Sequence, residues 1–147
     1  MEPVSPNLGV GPSRREFLAG CASCVIATGI AGCTAVNPAP LVEADAQNTV
    51  PIAGKLGAPG DQIKVQLPDA SELVLVWRTP QGYGGASIVC THRGSQVHFN
   101  PEAGTLDCPS HGSRFDQEGK VIHGPAAKPL RAYRVTVEGD RLRIRPV

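Results

Sequence analysis

Four residues in the second half of the chain carry the chemistry the sequence offers. Cys90-Thr91-His92 and Cys108-Pro109-Ser110-His111 each place one thiol and one imidazole on a short segment. Two sulfur and two nitrogen donors imply a metal, because thiolate and imidazole suit zinc, copper and iron better than hard cations. Two occupants fit the set: a tetrahedral zinc ion, or a two-iron, two-sulfide cluster in which two histidines replace two cysteines on one iron. A single residue between Cys90 and His92 is tight for both side chains to reach one tetrahedral ion. A two-iron rhomb lets each segment straddle it, so the spacing favours the cluster.

Ligands held at a fixed separation need a rigid scaffold, and from about Val50 the chain reads as short β-strands. Ile63, Val65 and Leu67 alternate with polar residues, and residues 73–77 form a continuous apolar run. Residues 86–90 follow a Gly82-Tyr83-Gly84-Gly85 stretch that reads as a turn. Tyr133, Val135 and Val137 share one face, Gly139-Asp140 is a hairpin turn, and Leu142 and Ile144 return along the partner strand. No ten-residue stretch keeps a helical period. Between residues 88 and 130 the alternation is broken by Gly94, Gly104, Pro109, Gly112, Gly119, Gly124 and Pro125. Loops so rich in special backbone positions commonly carry the site.

Composition agrees with that reading. The chain has 17 Gly and 14 Pro among 147 residues, which suits strands and tight turns, and 41% hydrophobic residues, enough for one small core. A net charge of +1 with no basic stripe removes the footprint of a nucleic-acid binder. No Ser-His-Asp set, phosphate loop or paired carboxylate site stands out, and no internal repeat is evident.

Cys90-Thr91-His92-Arg93-Gly94, then Cys108-Pro109-Ser110-His111-Gly112-Ser113, then Gly124-Pro125-Ala126 and Pro129-Leu130 resemble the Rieske iron-sulfur family. The resemblance runs from about Val50 to the end. It implies an all-β fold, antiparallel throughout, a sandwich or barrel of base sheets with a small cluster-binding subdomain inserted. It implies one 2Fe-2S cluster, with Cys90 and Cys108 on the buried iron and His92 and His111 on the exposed one. By the same resemblance the Gly124-Pro125-Ala126 loop covers a third side, and the Ser113 hydroxyl donates to a bridging sulfide. Two thiolates and two neutral imidazoles leave the oxidised core neutral, so an added electron costs less than in a four-thiolate centre.

The sequence leaves the pattern of the quinol-oxidising members of that family at several positions. Ser95 and Ser110 stand where those relatives carry a disulfide, Arg93 stands at a leucine position, and Phe115 stands at the position of a tyrosine whose hydroxyl donates to a cluster thiolate. Each lost donor to sulfur favours the oxidised state. The expectation is a low-to-intermediate potential and an electron-carrier role, with a cytochrome or a larger oxidoreductase subunit as redox partner. The alternatives are the Rieske subunit of a quinol-oxidising cytochrome bc-type complex and the small subunit of an arsenite-oxidase-like molybdenum enzyme. A zinc-stabilised structural module is a further one.

The first third reads as an address. Arg14-Arg15-Glu16-Phe17-Leu18 opens an uncharged run to Gly32 and resembles a twin-arginine export signal, which sends folded proteins across the bacterial inner membrane. Ile30-Ala31-Gly32-Cys33 resembles a lipobox, with Cys33 as the lipidated residue; cleavage further on and a retained anchor are the alternatives. Cys21 and Cys24 fall inside this segment and read as small filler. The expected organisation is a signal over 1–33, a flexible tether over 34–48 and the β domain over 49–147, on the periplasmic side of the membrane and held there by a lipid or soluble.

Other residues receive plainer readings. His98 faces solvent between Val97 and Phe99, His123 is a loop histidine beside the Gly124-Pro125 segment, and Trp77 belongs to the core. Arg93, Arg114, Lys120, Lys128 and Arg131 gather around the ligand loops, as a solvated rim or as a docking face for an acidic partner.

Overall fold

The computed structural model describes residues 39–147; Arg14, Arg15, Cys21, Cys24 and Cys33 lie outside the described residues. The described residues form strands without a helix: β1 (Leu41–Glu43), β2 (Thr49–Pro51), β3 (Gln62–Gln66), β4 (Val74–Thr79), β5 (Gly82–Ser87), β6 (His98–Asn100), β7 (Thr105–Asp107), β8 (Arg114–Phe115), β9 (Val121–His123), β10 (Tyr133–Glu138) and β11 (Arg141–Pro146). Three sheets result, with strand orders β1-β3-β4-β5, β10-β11-β2 and β6-β7-β8-β9. The third sheet is inserted between β5 and β10, as the resemblance implied. All strand pairings are antiparallel except that of β1 with β3, which is parallel.

That parallel pairing corrects the expected tether. Residues 41–43 add an edge strand to the first sheet, with Val42 opposite Val65 and buried, so the fold begins before residue 49. The following turn is ordered by Asp45, whose carboxylate accepts from the Gln47 and Thr49 amides, the Thr49 hydroxyl and Arg141. The Gly82-Tyr83-Gly84-Gly85 stretch is likewise a strand and not a turn; the reversal lies just before it, where Thr79 Oγ1 accepts from the Gly82 amide. Glycine serves close packing in β5. A Cβ at Gly84 would overlap the Trp77 indole, and one at Gly85 would lie 2.7 Å from Val135.

Strand β4 explains why residues 73–77 are continuously apolar. Val74 and Val76 enter a core with Ile63, Val65, Tyr133, Leu142 and Ile144, whereas Leu75 and Trp77 enter a second with Phe99, Leu106, Phe115 and both cysteines. A strand buried on both faces loses its polar alternation. Trp77 stacks on Phe99 with ring centroids 5.4 Å apart and so ties the base to the inserted sheet. Gln62 adds a polar tie, its amide oxygen accepting from the Phe99 amide at 2.9 Å and its nitrogen donating to the Phe99 carbonyl.

Candidate metal centre

The two ligand-bearing segments fold alike. In the first, the Cys90 amide donates to the Ser95 carbonyl and the Gly94 amide to the Cys90 carbonyl, both at 2.8 Å. In the second, the Cys108 amide donates to the Ser113 carbonyl at 2.8 Å and the Gly112 amide to the Cys108 carbonyl at 3.0 Å. Gly94 and Gly112 share a left-handed backbone, with φ of 77° and 78°, which glycine adopts without the steric cost of a side chain. Each loop thereby closes over its own cysteine. The signal for this pairing was in the sequence, since Gly-Ser follows each cysteine at the same offset, four and five residues on.

A third segment binds both loops. The Thr91 hydroxyl donates to the Lys128 carbonyl at 2.6 Å, and the Ala126 amide donates to Ser113 Oγ at 3.0 Å. Ser113 is fully buried, and accepting from Ala126 leaves its hydroxyl proton free to donate elsewhere. Gly124 and Pro125 are exposed beside this contact. The sequence marks Lys128 only as a cation near the loops and Thr91 only as a spacer between two ligands, so the bond between them has no signal there. Phe115 is fully buried in the core beneath the loops, pairing with Leu106 and Val121.

The four candidate ligands divide by depth. Cys90 and Cys108 are free thiols at 1% and 2% exposure, His92 is half-buried and His111 exposed. The imidazoles meet edge to face with centroids 4.8 Å apart. His92 Nδ1 is buried without a hydrogen-bond partner, an arrangement that costs free energy unless something binds it. Burial, then His111, then Arg93 hold the His92 pKa below its ordinary value, which favours the neutral imidazole a metal needs. Burial and the neighbouring Cys90 push the Cys108 thiol up, against the amides of Ser110 and His111, which donate to its sulfur. A bound cation reverses that burial effect by favouring the thiolate.

These features fit a two-iron, two-sulfide cluster. Cys90, Cys108, His92 and His111 would hold such a cluster through two thiolates and two imidazoles. His98 is half-buried on β6 opposite Asp107, and His123 is exposed at the end of β9 opposite Arg114.

The chain matches the Rieske [2Fe-2S] domain over residues 48–134. It is 31% identical over 153 residues to the cytochrome b6-f complex iron-sulfur subunit 2 of Nostoc sp., covering 91% of this chain and 85% of that one. A shorter match, 41% over 56 residues, joins it to the cytochrome b6-f complex iron-sulfur subunit of Chlorobaculum tepidum, covering 38% of this chain and 31% of the relative. With such relatives the chain aligns over only about a third of their length. The plasma membrane Rieske protein of Synechocystis PCC 6803 superposes with a TM-score of 0.51 at 30% identity, over 57% of this chain and 85% of that one. The ferredoxin of carbazole 1,9a-dioxygenase from Nocardioides aromaticivorans superposes with a TM-score of 0.57 at 27% identity, over 68% of this chain and 99% of the ferredoxin. The chain belongs to the Rieske [2Fe-2S] family, whose domain carries one two-iron, two-sulfide cluster.

Proposed function

We propose that this protein is an exported single-electron carrier, or the electron-transfer subunit of a larger oxidoreductase, with Cys90, His92, Cys108 and His111 as cluster ligands. When bound, the cluster takes up and releases one electron at a time. The observation that carries the reading is the gradient of exposure across the four ligands: both cysteines are almost inaccessible, while His111 reaches solvent. The buried thiols anchor, and the imidazole side is the port through which a partner exchanges the electron. Ser113 and the amides of Ser110 and His111 supply hydrogen bonds near the sulfurs, and Phe115 closes the core side to water without adding a donor.

A second reading, the Rieske subunit of a quinol-oxidising complex, is favoured by the names of the b6-f relatives. Ser95, Ser110, Arg93 and Phe115 count against it, since they remove the disulfide, the leucine and the tyrosine of that group. The twin-arginine signal, lipidation at Cys33 and a periplasmic location belong to the same proposal and rest on the motifs at Arg14-Arg15 and at residues 30–33. The test of the ligand set is the pair Cys90→Ser and His111→Ala. Each variant is expected to lose iron and visible absorption while remaining folded by far-ultraviolet dichroism; a full spectrum in either contradicts the assignment.

A further inference from the structure

The charges around the port are segregated. Residues 89–99, 108–115 and 121–134, which supply both ligand loops and the segment that ties them, contain none of the 13 acidic residues of the chain. They contain Arg93, Arg114, Lys128, Arg131 and Arg134. Arg131 is met by Glu72 at 3.7 Å, whereas Arg93, Arg114 and Lys128 are exposed and have no ion-pair partner among the described residues. Asp107, which stands opposite Arg114 across β7 and β8, makes no ion pair with it and is engaged instead by Asn100 and Thr105, and Asp116 is engaged by the amides of Glu118 and Lys120.

Position links the unpaired cations to the port. Arg93 follows His92 directly and is exposed beside it. Lys128 is held beside the first loop by the Thr91 hydrogen bond to its carbonyl. Arg114 follows the buried Ser113 of the second loop. Exposed Pro109, Pro125 and Ala127 lie on the same loops, giving a small apolar contact within a cationic surround. With a net charge of only +1, the rest of the molecule carries the compensating negative charge, so the protein presents a positive port end.

We propose that this surface docks a redox protein whose electron-exchange site is rimmed by Asp and Glu, and that Arg93, Arg114 and Lys128 orient it over His92 and His111. The inference rests on the carrier reading and names its partner class. Transient redox encounters use small interfaces, and charge complementarity sets their association rate. An anionic membrane surface would also attract these cations, but their placement about the electron port favours a partner that exchanges electrons there.

The test uses stopped-flow oxidation of the full-length reduced holoprotein by two one-electron oxidants of opposite charge. In each case the protein loses one electron: ferricyanide becomes ferrocyanide, or tris(phenanthroline)cobalt(III) becomes cobalt(II). The ferricyanide rate is expected to fall by about tenfold as ionic strength rises from roughly 0.01 to 0.5 M, while the cobalt rate rises. Arg93→Glu/Lys128→Glu and, separately, Arg114→Glu/Lys128→Glu should weaken or invert both trends with the visible spectrum retained. A reducible cluster whose rates show no such sign, or are unmoved by the charge reversals, overturns the docking inference alone. Absence of any reducible cluster overturns the carrier reading and the inference together. Stronger binding of the full chain to phosphatidylglycerol than to phosphatidylcholine vesicles, abolished by the same reversals, assigns the surface to lipid and also overturns it.

Discussion

The amide of Ala126 donates to the hydroxyl oxygen of fully buried Ser113 at 3.0 Å, so a segment with no ligand of its own is bonded to the loop that carries two. Replacing Ser113 by Ala removes that acceptor and leaves a buried amide unpaired, at a cost of about 1–3 kcal/mol. It also removes a hydroxyl proton available to cluster sulfur. Ser113→Ala is therefore expected to lower both the denaturation midpoint and the reduction potential. Phe115→Tyr is expected to raise the potential by adding a donor. Redox titration of the two variants beside the parent checks the opposite signs.

The glycines separate two physical costs. At Gly94 and Gly112 a Cβ meets nothing within 4 Å, so substitution by Ala pays only for the left-handed backbone, about 1–2 kcal/mol. At Gly84 the Cβ overlaps the Trp77 indole, which must shift along with Phe99 stacked upon it. Gly84→Ala is expected to cost about 1–3 kcal/mol by overpacking and to quench or shift the fluorescence of the single tryptophan. Gly94→Ala should leave that fluorescence in place. Denaturation followed by tryptophan emission distinguishes them.

Asp45 makes stability depend on acid. Hydrogen bonds from Thr49, reinforced by Gln47 and Arg141, lower its pKa to about 2 from an ordinary value of 3.8. The folded state thus binds this proton less readily than the unfolded chain. The stabilisation is fully present above the unfolded value and is lost as pH falls from there through about 2. Asp45→Asn should flatten that part of the profile and lower stability at neutral pH, as thermal melts of parent and variant across the acid range will register.

Membrane attachment tests the reading of Cys33. If this cysteine carries lipid, Cys33→Ala should move the protein from the membrane fraction to the soluble periplasm without altering its visible spectrum. Retention on the membrane in the variant identifies an uncleaved anchor instead. Lysine replacement of Arg14 and Arg15 together should stop export, leaving the precursor in the cytoplasm.

The candidate ligands stood out in the sequence because their residue types are rare and sit in loops punctuated by glycine and proline. The hairpin of β10 and β11 was equally readable from Tyr133, Val135, Leu142 and Ile144 and the Gly139-Asp140 turn between them. Three things were not. Strand β1 has three residues after a proline-rich stretch, and a pattern of one buried position between two exposed ones is too short to show a period. Strand β5 begins with glycines that punctuate most sequences but here make room for Trp77 and Val135, a demand set by tertiary packing. Thr91, Lys128 and Gln62 act through backbone groups far along the chain, and no local pattern announces such partners.

The most direct measurement of the central claim, a cluster held by two cysteines and two histidines, is electron paramagnetic resonance of the purified full-length protein during a redox titration. The expected result is one reduced signal with the low average g-value of histidine-ligated clusters, titrating as a one-electron couple in the lower or middle part of the range of roughly −150 to +300 mV. A signal of the four-thiolate type, or stoichiometric zinc with no paramagnetic species, contradicts the ligand assignment. A midpoint near +300 mV contradicts the part of the account built on Ser95, Ser110 and Phe115.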